Sequence, residues 1–283
     1  MNSTHNLSEL LFKEFHREGY IIVPELLNDE FIQSITSALD NIGTGSFSML
    51  QTIESETLIK LLYYLPIHNI LDSLFNQNPY TLHHYTSAIH TTQTPNLGWH
   101  HDKVTTFSRG KNNPLMIHCL VYPNGLKREI GQLLLVPKSQ QWDVDRYQLS
   151  ALPFEALVHK SLDYLSPGSV VFINSSLVHA RQSLPLIDES SRRYFLDISF
   201  CDSRFKWEPY LESIQSWRDL FKQIESSSIS KVKINSNILD TSTFSTHLTN
   251  KFVPSFLENK LYRFLSFYYR KILKTTKLSK LEY

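Results

Sequence analysis

Residues 166–180, SPGSVVFINSSLVHA, point to the fold class of this chain. The Pro-Gly pair suits the middle of a tight turn in which the glycine adopts a positive φ angle. SVVFIN, which follows, is an apolar run of strand length with three β-branched residues. After two serines the stretch reaches His179, a residue type that often ligates metals. The pattern predicts a turn, a buried strand and a histidine delivered at the end of that strand.

Similar short segments recur between residues 79 and 202, each apolar and bounded by Pro, Gly, Asn or Ser. They are YTLHHYTSAIH, NPLMIHCLVYP, GQLLLVPKS and RRYFLDISF. Regularly spaced short strands separated by turns are typical of a sandwich or barrel, and not of parallel βαβ units. The central part of the chain is therefore predicted to be mainly β.

Helical patterns flank this β region. Apolar residues at three- and four-residue spacing predict a helix over residues 7–17, and YIIVPELL after it predicts a short strand. Asn28 is expected to cap a second helix over DEFIQSITSALDNI, and residues 55–76 are again predicted to be helical. After Asp202 the chain is polar and helical, with a basic amphipathic helix predicted over residues 254–277.

The composition excludes several classes of protein. A hydrophobic fraction of 41% over 283 residues supports a folded core. A formal charge of +1 offers no field to attract nucleic acid, so a nucleic-acid partner is not expected. Two cysteines, Cys119 and Cys201, exclude a disulfide framework and indicate a reducing compartment. Without an apolar run of about 18 residues or a signal-peptide pattern, a cytoplasmic protein with no transmembrane segment is expected.

The heptapeptide GWHHDKV, residues 98–104, contains a candidate metal-binding pair. On a strand, His100 and Asp102 share one face because side chains alternate with a period of two. His179 would supply a third ligand from another strand, and two imidazoles with one carboxylate form the facial triad of Fe(II) oxygenases. Spacing alone leaves a second reading open, in which these side chains are hydrogen-bonded structural residues.

GWHHDKV, GQLLLVPKSQ, LSPGSVVFINSSLVHA and SRRYFLDIS, in this order, resemble the phytanoyl-CoA dioxygenase family of non-haem Fe(II)/2-oxoglutarate oxygenases. HREGYIIVPELLNDEFIQSI also resembles the opening of that family, and the likeness covers roughly residues 8–202. The resemblance implies a double-stranded β-helix (a cupin-like jelly roll) with N-terminal helices packed on it. We expect residues 1–202 to form this domain and residues 203–283 to form a helical C-terminal extension packed on it.

Residue by residue, the resemblance implies that His100, Asp102 and His179 are the iron ligands and catalytic centre. It also implies that an arginine at the start of the strand after the second histidine binds the distal carboxylate of 2-oxoglutarate. A guanidinium suits this role because it pairs with a carboxylate through two parallel hydrogen bonds. Arg192 and Arg193 both lie there. Only one of two adjacent strand residues points inward, and we expect Arg192 to be that residue, with Arg193 in reserve.

The implied activity is that of an Fe(II)/2-oxoglutarate-dependent dioxygenase that uses O2 and hydroxylates a small-molecule substrate, with release of succinate and CO2. Related halogenases lack the carboxylate ligand, so Asp102 favours hydroxylation. A carrier-tethered substrate and a homodimer remain open. Two other functions also remain open: a non-catalytic jelly-roll binding protein, and a zinc-dependent hydrolase using the same ligands.

Several further residues have two readings each. Trp99 could either line the pocket or pack in the core, and His101 could either act near the substrate or lie in solvent. Arg109 and Lys111 contact an anionic substrate or are solvated surface charges. Four other histidines alternate through strands, and at most two of them are expected to face a pocket; they are His83, His84, His90 and His118.

Overall fold

The computed structural model describes residues 2–91, 94–102, 114–142, 144, 149–183, 192–207, 214–226, 234 and 236–244. Helices in these ranges are α1 (Asn2–Glu18), α2 (Asp29–Ile42), α3 (Met49–Thr52), α4 (Glu56–Leu62), α5 (Leu65–Leu74) and α6 (Ile214–Ser226). The basic stretch predicted to be helical, residues 254–277, lies outside the described residues.

Local sequence signals set the helix ends. Asn28 caps α2 as predicted, because its side-chain oxygen accepts the Phe31 N–H at 2.8 Å. The stretch predicted as one helix over residues 55–76 is instead two, α4 and α5. Pro66 explains the break: it lacks an N–H and is tolerated only in the first turn of a helix, where α5 places it.

In the part of the chain that the structure describes, ten strands form two antiparallel sheets. They are β1 (Tyr20–Val23), β2 (Gly45–Phe47), β3 (Tyr80–His90), β4 (Leu97–His100), β5 (Met116–Tyr122), β6 (Gln132–Leu135), β7 (Lys160–Leu162), β8 (Ser169–Asn174), β9 (His179–Gln182) and β10 (Arg193–Asp202). The larger sheet has the order β1-β8-β5-β10-β3-β2, and the smaller has the order β4-β9-β6-β7. The prediction of a mainly β protein with flanking helices is confirmed, and two such sheets are consistent with a jelly roll.

Alternating side chains of the larger sheet contribute to two separate layers of the core. On β8, Val170 and Phe172 pack with the helices, whereas Val171 and Ile173 pack between the two sheets. Because both faces are buried, the strand reads as an unbroken apolar run. A third cluster lies on the other face of the smaller sheet and includes Trp99.

The turn before β8 has the predicted conformation. Gly168 has a φ angle of +76°, and a Cβ atom there would lie 2.7 Å from the Leu27 carbonyl oxygen. The backbones of Gly168 and Leu27 are also hydrogen-bonded, because the Gly168 carbonyl accepts the Leu27 N–H at 3.1 Å. Only glycine combines the positive φ angle with the space that this close approach requires.

The chain beyond Asp202 contacts the β region at several points. Trp207 is fully buried and its indole N–H donates to the Asp202 carbonyl at 2.8 Å. The Leu82 N–H donates to the Ile238 carbonyl at 2.9 Å, and Phe221 of α6 packs in the largest core cluster. Within the described ranges, no helix is long and apolar enough to cross a membrane.

Candidate metal centre

The three predicted ligands come together at one end of the smaller sheet. His100 and His179 face each other across the β4–β9 pair, with their ring centroids 4.1 Å apart. Asp102 follows β4 directly and is held by its N–H, which donates to the Ser175 carbonyl at 2.7 Å. One potential ligand atom from each of the three lies within 4.8 Å of the others. His100, Asp102 and His179 are called the triad below.

Hydrogen bonds orient both imidazoles of the triad. Nδ1 of His100 donates to the Gly98 carbonyl at 2.7 Å, and Nδ1 of His179 donates to the Leu177 carbonyl at 2.9 Å. With Nδ1 engaged, Nε2 carries the lone pair in each neutral ring. The two Nε2 atoms lie 3.9 and 3.3 Å from the oxygens of Asp102. This is the geometry in which outer hydrogen bonds prepare histidines for a metal ion.

The carboxyl group of Asp102 is held in its ionised form. Burial alone would raise its pKa, but the surrounding imidazoles outweigh burial when they are protonated: the hydrogen bond and charge of His179, followed by the charges of His118 and His100, keep the pKa of Asp102 well below its usual range. A metal ligand must be deprotonated, so the residues present fit a divalent cation. Two imidazoles and one carboxylate suit Fe(II) and leave coordination positions for other ligands.

A cavity of about 420 Å³ lies between the two sheets, and the triad lines one part of it. Apolar side chains from both sheets, among them Leu120, Leu133 and Phe195, line another part. Four histidines of the larger sheet also line the cavity, more than the two expected; they are His83, His84, His90 and His118. The volume is in the range of small-molecule sites.

The structure corrects the expected orientation of the paired arginines. Arg192 lies outside the cavity with 50% of its side chain exposed, and its guanidinium is 3.6 Å from the Asp40 carboxylate. Arg193 is only 3% exposed, lines the cavity, and donates from Nη2 to the Tyr122 hydroxyl at 2.9 Å. Its guanidinium also lies 5.3 Å from the ring centre of Phe195. Arg193 is therefore the inward member of the pair.

Two further polar groups in the cavity were not singled out as site residues from the sequence. Asp197 on β10 accepts a hydrogen bond from Nδ1 of His118 at 2.9 Å, and its other oxygen is 3.8 Å from Nε2 of His84. Burial raises the pKa of Asp197, but His118 and then His84 outweigh it, so the pKa is lowered. Arg181 on β9 is the second group. Their positions in the sequence could have revealed them, because Asp197 and Arg181 both lie at inward-facing positions of strands that carry either a residue of the triad or the arginine pair.

Trp99 and His101, which flank His100, are both outside the cavity lining. Trp99 is fully buried in the third core cluster, and its indole N–H donates to the Pro153 carbonyl at 3.0 Å. Nε2 of His101 donates to the Val144 carbonyl at 3.1 Å. Arg109 and Lys111 lie outside the described residues.

His90 provides a pH-dependent test of the cavity. Burial, followed by the charges of Arg181 and Arg193, lowers the pKa of His90 to about 3. The unfolded chain, with an ordinary pKa near 6.5, binds a proton between these values that the folded chain does not. The titration of His90 therefore leaves the free energy of unfolding unchanged above about pH 6.5 and lowers it as the pH falls from 6.5 toward 3. By pH 5 the loss is on the order of 2 kcal/mol.

We expect His90→Gln to remove this part of the pH dependence. Urea denaturation of both proteins at pH 7 and pH 5 measures it, and the difference between the two proteins isolates His90 from other titrating groups. The same change in unfolding free energy in both proteins would contradict the assignment.

Solved structures with the same fold include several non-haem enzymes. The carbocyclase SnoK from nogalamycin biosynthesis, described as α-ketoglutarate-dependent, aligns with a TM-score of 0.61 at 14% identity, over 76% of this chain and 92% of its own. The α-ketoglutarate-dependent epimerase SnoN from the same biosynthesis gives 0.58 at 16% identity, over 70% and 84%. HygX from Streptomyces hygroscopicus, solved with iron bound, gives 0.55 at 15% identity, over 72% and 92%.

At these identities the likeness to solved structures establishes the fold alone. None of the curated proteins compared with this sequence matches it. A family model does match: that of phytanoyl-CoA dioxygenase, over residues 15–183, which is more than half of the chain and includes the whole triad. The chain therefore belongs to the phytanoyl-CoA dioxygenase family.

Proposed function

We propose that this protein is an Fe(II)/2-oxoglutarate-dependent dioxygenase that hydroxylates a small-molecule substrate, with release of succinate and CO2. The observation that carries the proposal is the triad, in which two oriented imidazoles and one ionised carboxylate converge beside a cavity. Family membership supports it, as do the neighbours: SnoN was solved with Fe3+ and α-ketoglutarate, and HygX with nickel and 2-oxoglutarate.

In this proposal the triad holds Fe(II) through Nε2 of His100, Nε2 of His179 and the carboxylate of Asp102. The bound iron and 2-oxoglutarate supply the oxidising chemistry, while the protein supplies position and exclusion of water. The carbonyls that accept the Nδ1 protons keep both rings in the ligating tautomer. Aliphatic and aromatic side chains that line the cavity, including the buried Leu133 and the half-buried Phe195, limit water around the centre.

Arg193 takes the role expected of Arg192, as the anchor for the distal carboxylate of 2-oxoglutarate. Its guanidinium is buried in the cavity, and its Nε has no hydrogen-bond partner. A buried charge without a counter-ion is costly, so the site favours an anion. The Tyr122 hydroxyl, which accepts from Nη2, holds the guanidinium in place.

We also propose that the two sheets form a double-stranded β-helix and that residues 203–283 extend the domain of residues 1–202 as a helical segment. The contacts of Trp207, Phe221 and Ile238 with the β region support one domain. Cys119 and Cys201 are both free and buried, which supports a reducing, cytoplasmic location.

Retention of Asp102 favours hydroxylation over halogenation, since the carboxylate occupies the position that a halide would need. The epimerase and carbocyclase among the neighbours show that this fold supports other reactions. Product analysis would therefore distinguish these reactions, because hydroxylation adds one oxygen atom from O2 to the substrate.

An anaerobic titration tests the proposal. Apoprotein given Fe(II) and then 2-oxoglutarate is expected to develop a weak visible charge-transfer band, because the keto acid chelates the iron. Binding of zinc or iron without a band on adding 2-oxoglutarate would favour a hydrolase over a dioxygenase. Binding of neither metal nor 2-oxoglutarate would favour a non-catalytic jelly roll.

A further inference from the structure

Arg181 is a buried cation of the cavity to which the function proposed above gives no role. It lies on β9, two residues after His179, and lines the same cavity as the triad. Nη2 donates to the Pro95 carbonyl at 2.7 Å, and Nη1 contacts the ring nitrogens of His90 at 3.1 and 3.2 Å. Its Nε is buried and has no hydrogen-bond partner.

Arg181 and Arg193 both place a guanidinium group in the lining of the cavity. Among the described residues, neither guanidinium forms an ion pair with an Asp or Glu. The two carboxylates of the cavity are engaged elsewhere, Asp102 with His179 and Asp197 with His118. Because Arg181 and Arg193 also repel each other, an anion bound between them would stabilise both.

Both arginines are neighbours of His90. Arg193 is the strand partner of His90 on β3, and Arg181 contacts the His90 ring from the smaller sheet. Since the pKa of His90 is about 3, its imidazole is neutral at physiological pH and can accept an N–H from Arg181 without adding a third positive charge.

From this arrangement we infer that Arg181 and Arg193 form a two-arginine carboxylate site, in which Arg181 is a second guanidinium bound to the distal carboxylate of 2-oxoglutarate. The inference rests on the proposed function. Arg181 and His179 are two residues apart on β9, so their Cα atoms are about 6 to 7 Å apart, and both side chains line the cavity. A carboxylate has four lone-pair sites and can accept from both planar guanidinium groups.

A structural role for Arg181 is the competing explanation. Its bond to the Pro95 carbonyl ties β9 to the turn before β4, and loss of that bond would lower stability without affecting ligand choice. The two explanations differ in whether Arg181 distinguishes a dicarboxylate from a monocarboxylate. The test is therefore the ratio of two affinities.

We would measure the dissociation constants of 2-oxoglutarate and of 2-oxobutyrate, which lacks the distal carboxylate, by anaerobic calorimetry on the Fe(II)-loaded protein. Arg181→Gln is expected to weaken 2-oxoglutarate binding about 10- to 100-fold, the loss of charge-assisted hydrogen bonds. Binding of 2-oxobutyrate should change less than about twofold. Arg193→Gln should behave in the same way. Arg192→Gln is the matched control, because it removes the same charge outside the cavity, and it should change neither constant.

Arg181→Lys keeps one positive charge at the site and guards against a variant that fails to fold; a loss smaller than that of Arg181→Gln, again confined to 2-oxoglutarate, supports the inference. An unchanged affinity ratio in folded Arg181→Gln would overturn it, and the Pro95 contact would then be the role of Arg181. This outcome is distinct from failure of the proposed function, in which the wild-type protein itself would bind Fe(II) but not 2-oxoglutarate.

Discussion

His179→Ala is expected to lower the affinity for Fe(II) by at least about 100-fold, because loss of a ligand exceeds the 10- to 100-fold effect of losing an outer hydrogen bond to one. His179 supplies one of three ligand atoms, and no other described His, Cys, Asp or Glu joins this group. The charge-transfer band and turnover of 2-oxoglutarate should be lost together. Anaerobic Fe(II) titration, followed by succinate measurement, checks both.

His101→Ala is the control for this prediction. His101 is adjacent to the triad in sequence, but it contacts the Val144 carbonyl and lies outside the cavity lining. Its removal should change Fe(II) affinity by only a few-fold, less than the loss of a hydrogen bond to one of the metal ligands would. An unchanged band in His179→Ala, with the protein folded, would refute the metal assignment.

Trp99→Ala is expected to destabilise the protein by about 3–5 kcal/mol, the usual cost of truncating a fully buried large aromatic side chain. The indole packs on the outer face of the smaller sheet beside Phe154, with the rings 6.2 Å apart. Because Trp99 and His100 are consecutive on β4, this packing also fixes the strand that carries the ligand. Urea denaturation measures the loss.

Two variants separate the contributions to this effect. Trp99→Phe keeps most of the packing and loses the bond to the Pro153 carbonyl, so a loss nearer 1–2 kcal/mol is expected. Trp142→Ala removes an indole that is 44% exposed and should cost within about 0.5 kcal/mol. Equal effects of Trp99→Ala and Trp142→Ala would show that burial of Trp99 has been misassigned.

The secondary structure was largely predictable because its signals are local. Asn28 caps its helix through its own side chain, three residues from the N–H that it satisfies. The turn at Gly168 depends on the φ angle of one residue, and the β segments are marked by composition over a few positions. The error at residues 55–76 is also local: Pro66 was the available signal for the break between α4 and α5.

The site was only partly predictable, and the arginine pair shows why. Alternation identifies the inward residue only when one face of a strand is polar. On β10, Tyr194 and Leu196 pack toward the helices, while Phe195 lies on the cavity side, so both faces read as apolar. Neither Arg192 nor Arg193 was therefore distinguished by the residues that follow.

By itself, the sequence determined the class of fold, and its motifs identified the family and the three residues of the triad. The tertiary structure shows how these residues meet, because Asp102 follows β4 directly and His179 begins β9, where it pairs with His100. Only the tertiary structure decided which arginine faces inward, and it alone revealed the His118–Asp197 pair and Arg181 beside His90. The members of these pairs are 79 and 91 residues apart in the chain. Their contacts depend on strand register and on the packing of two sheets, which arise from the sum of many weak interactions across the core and leave no local mark in the sequence.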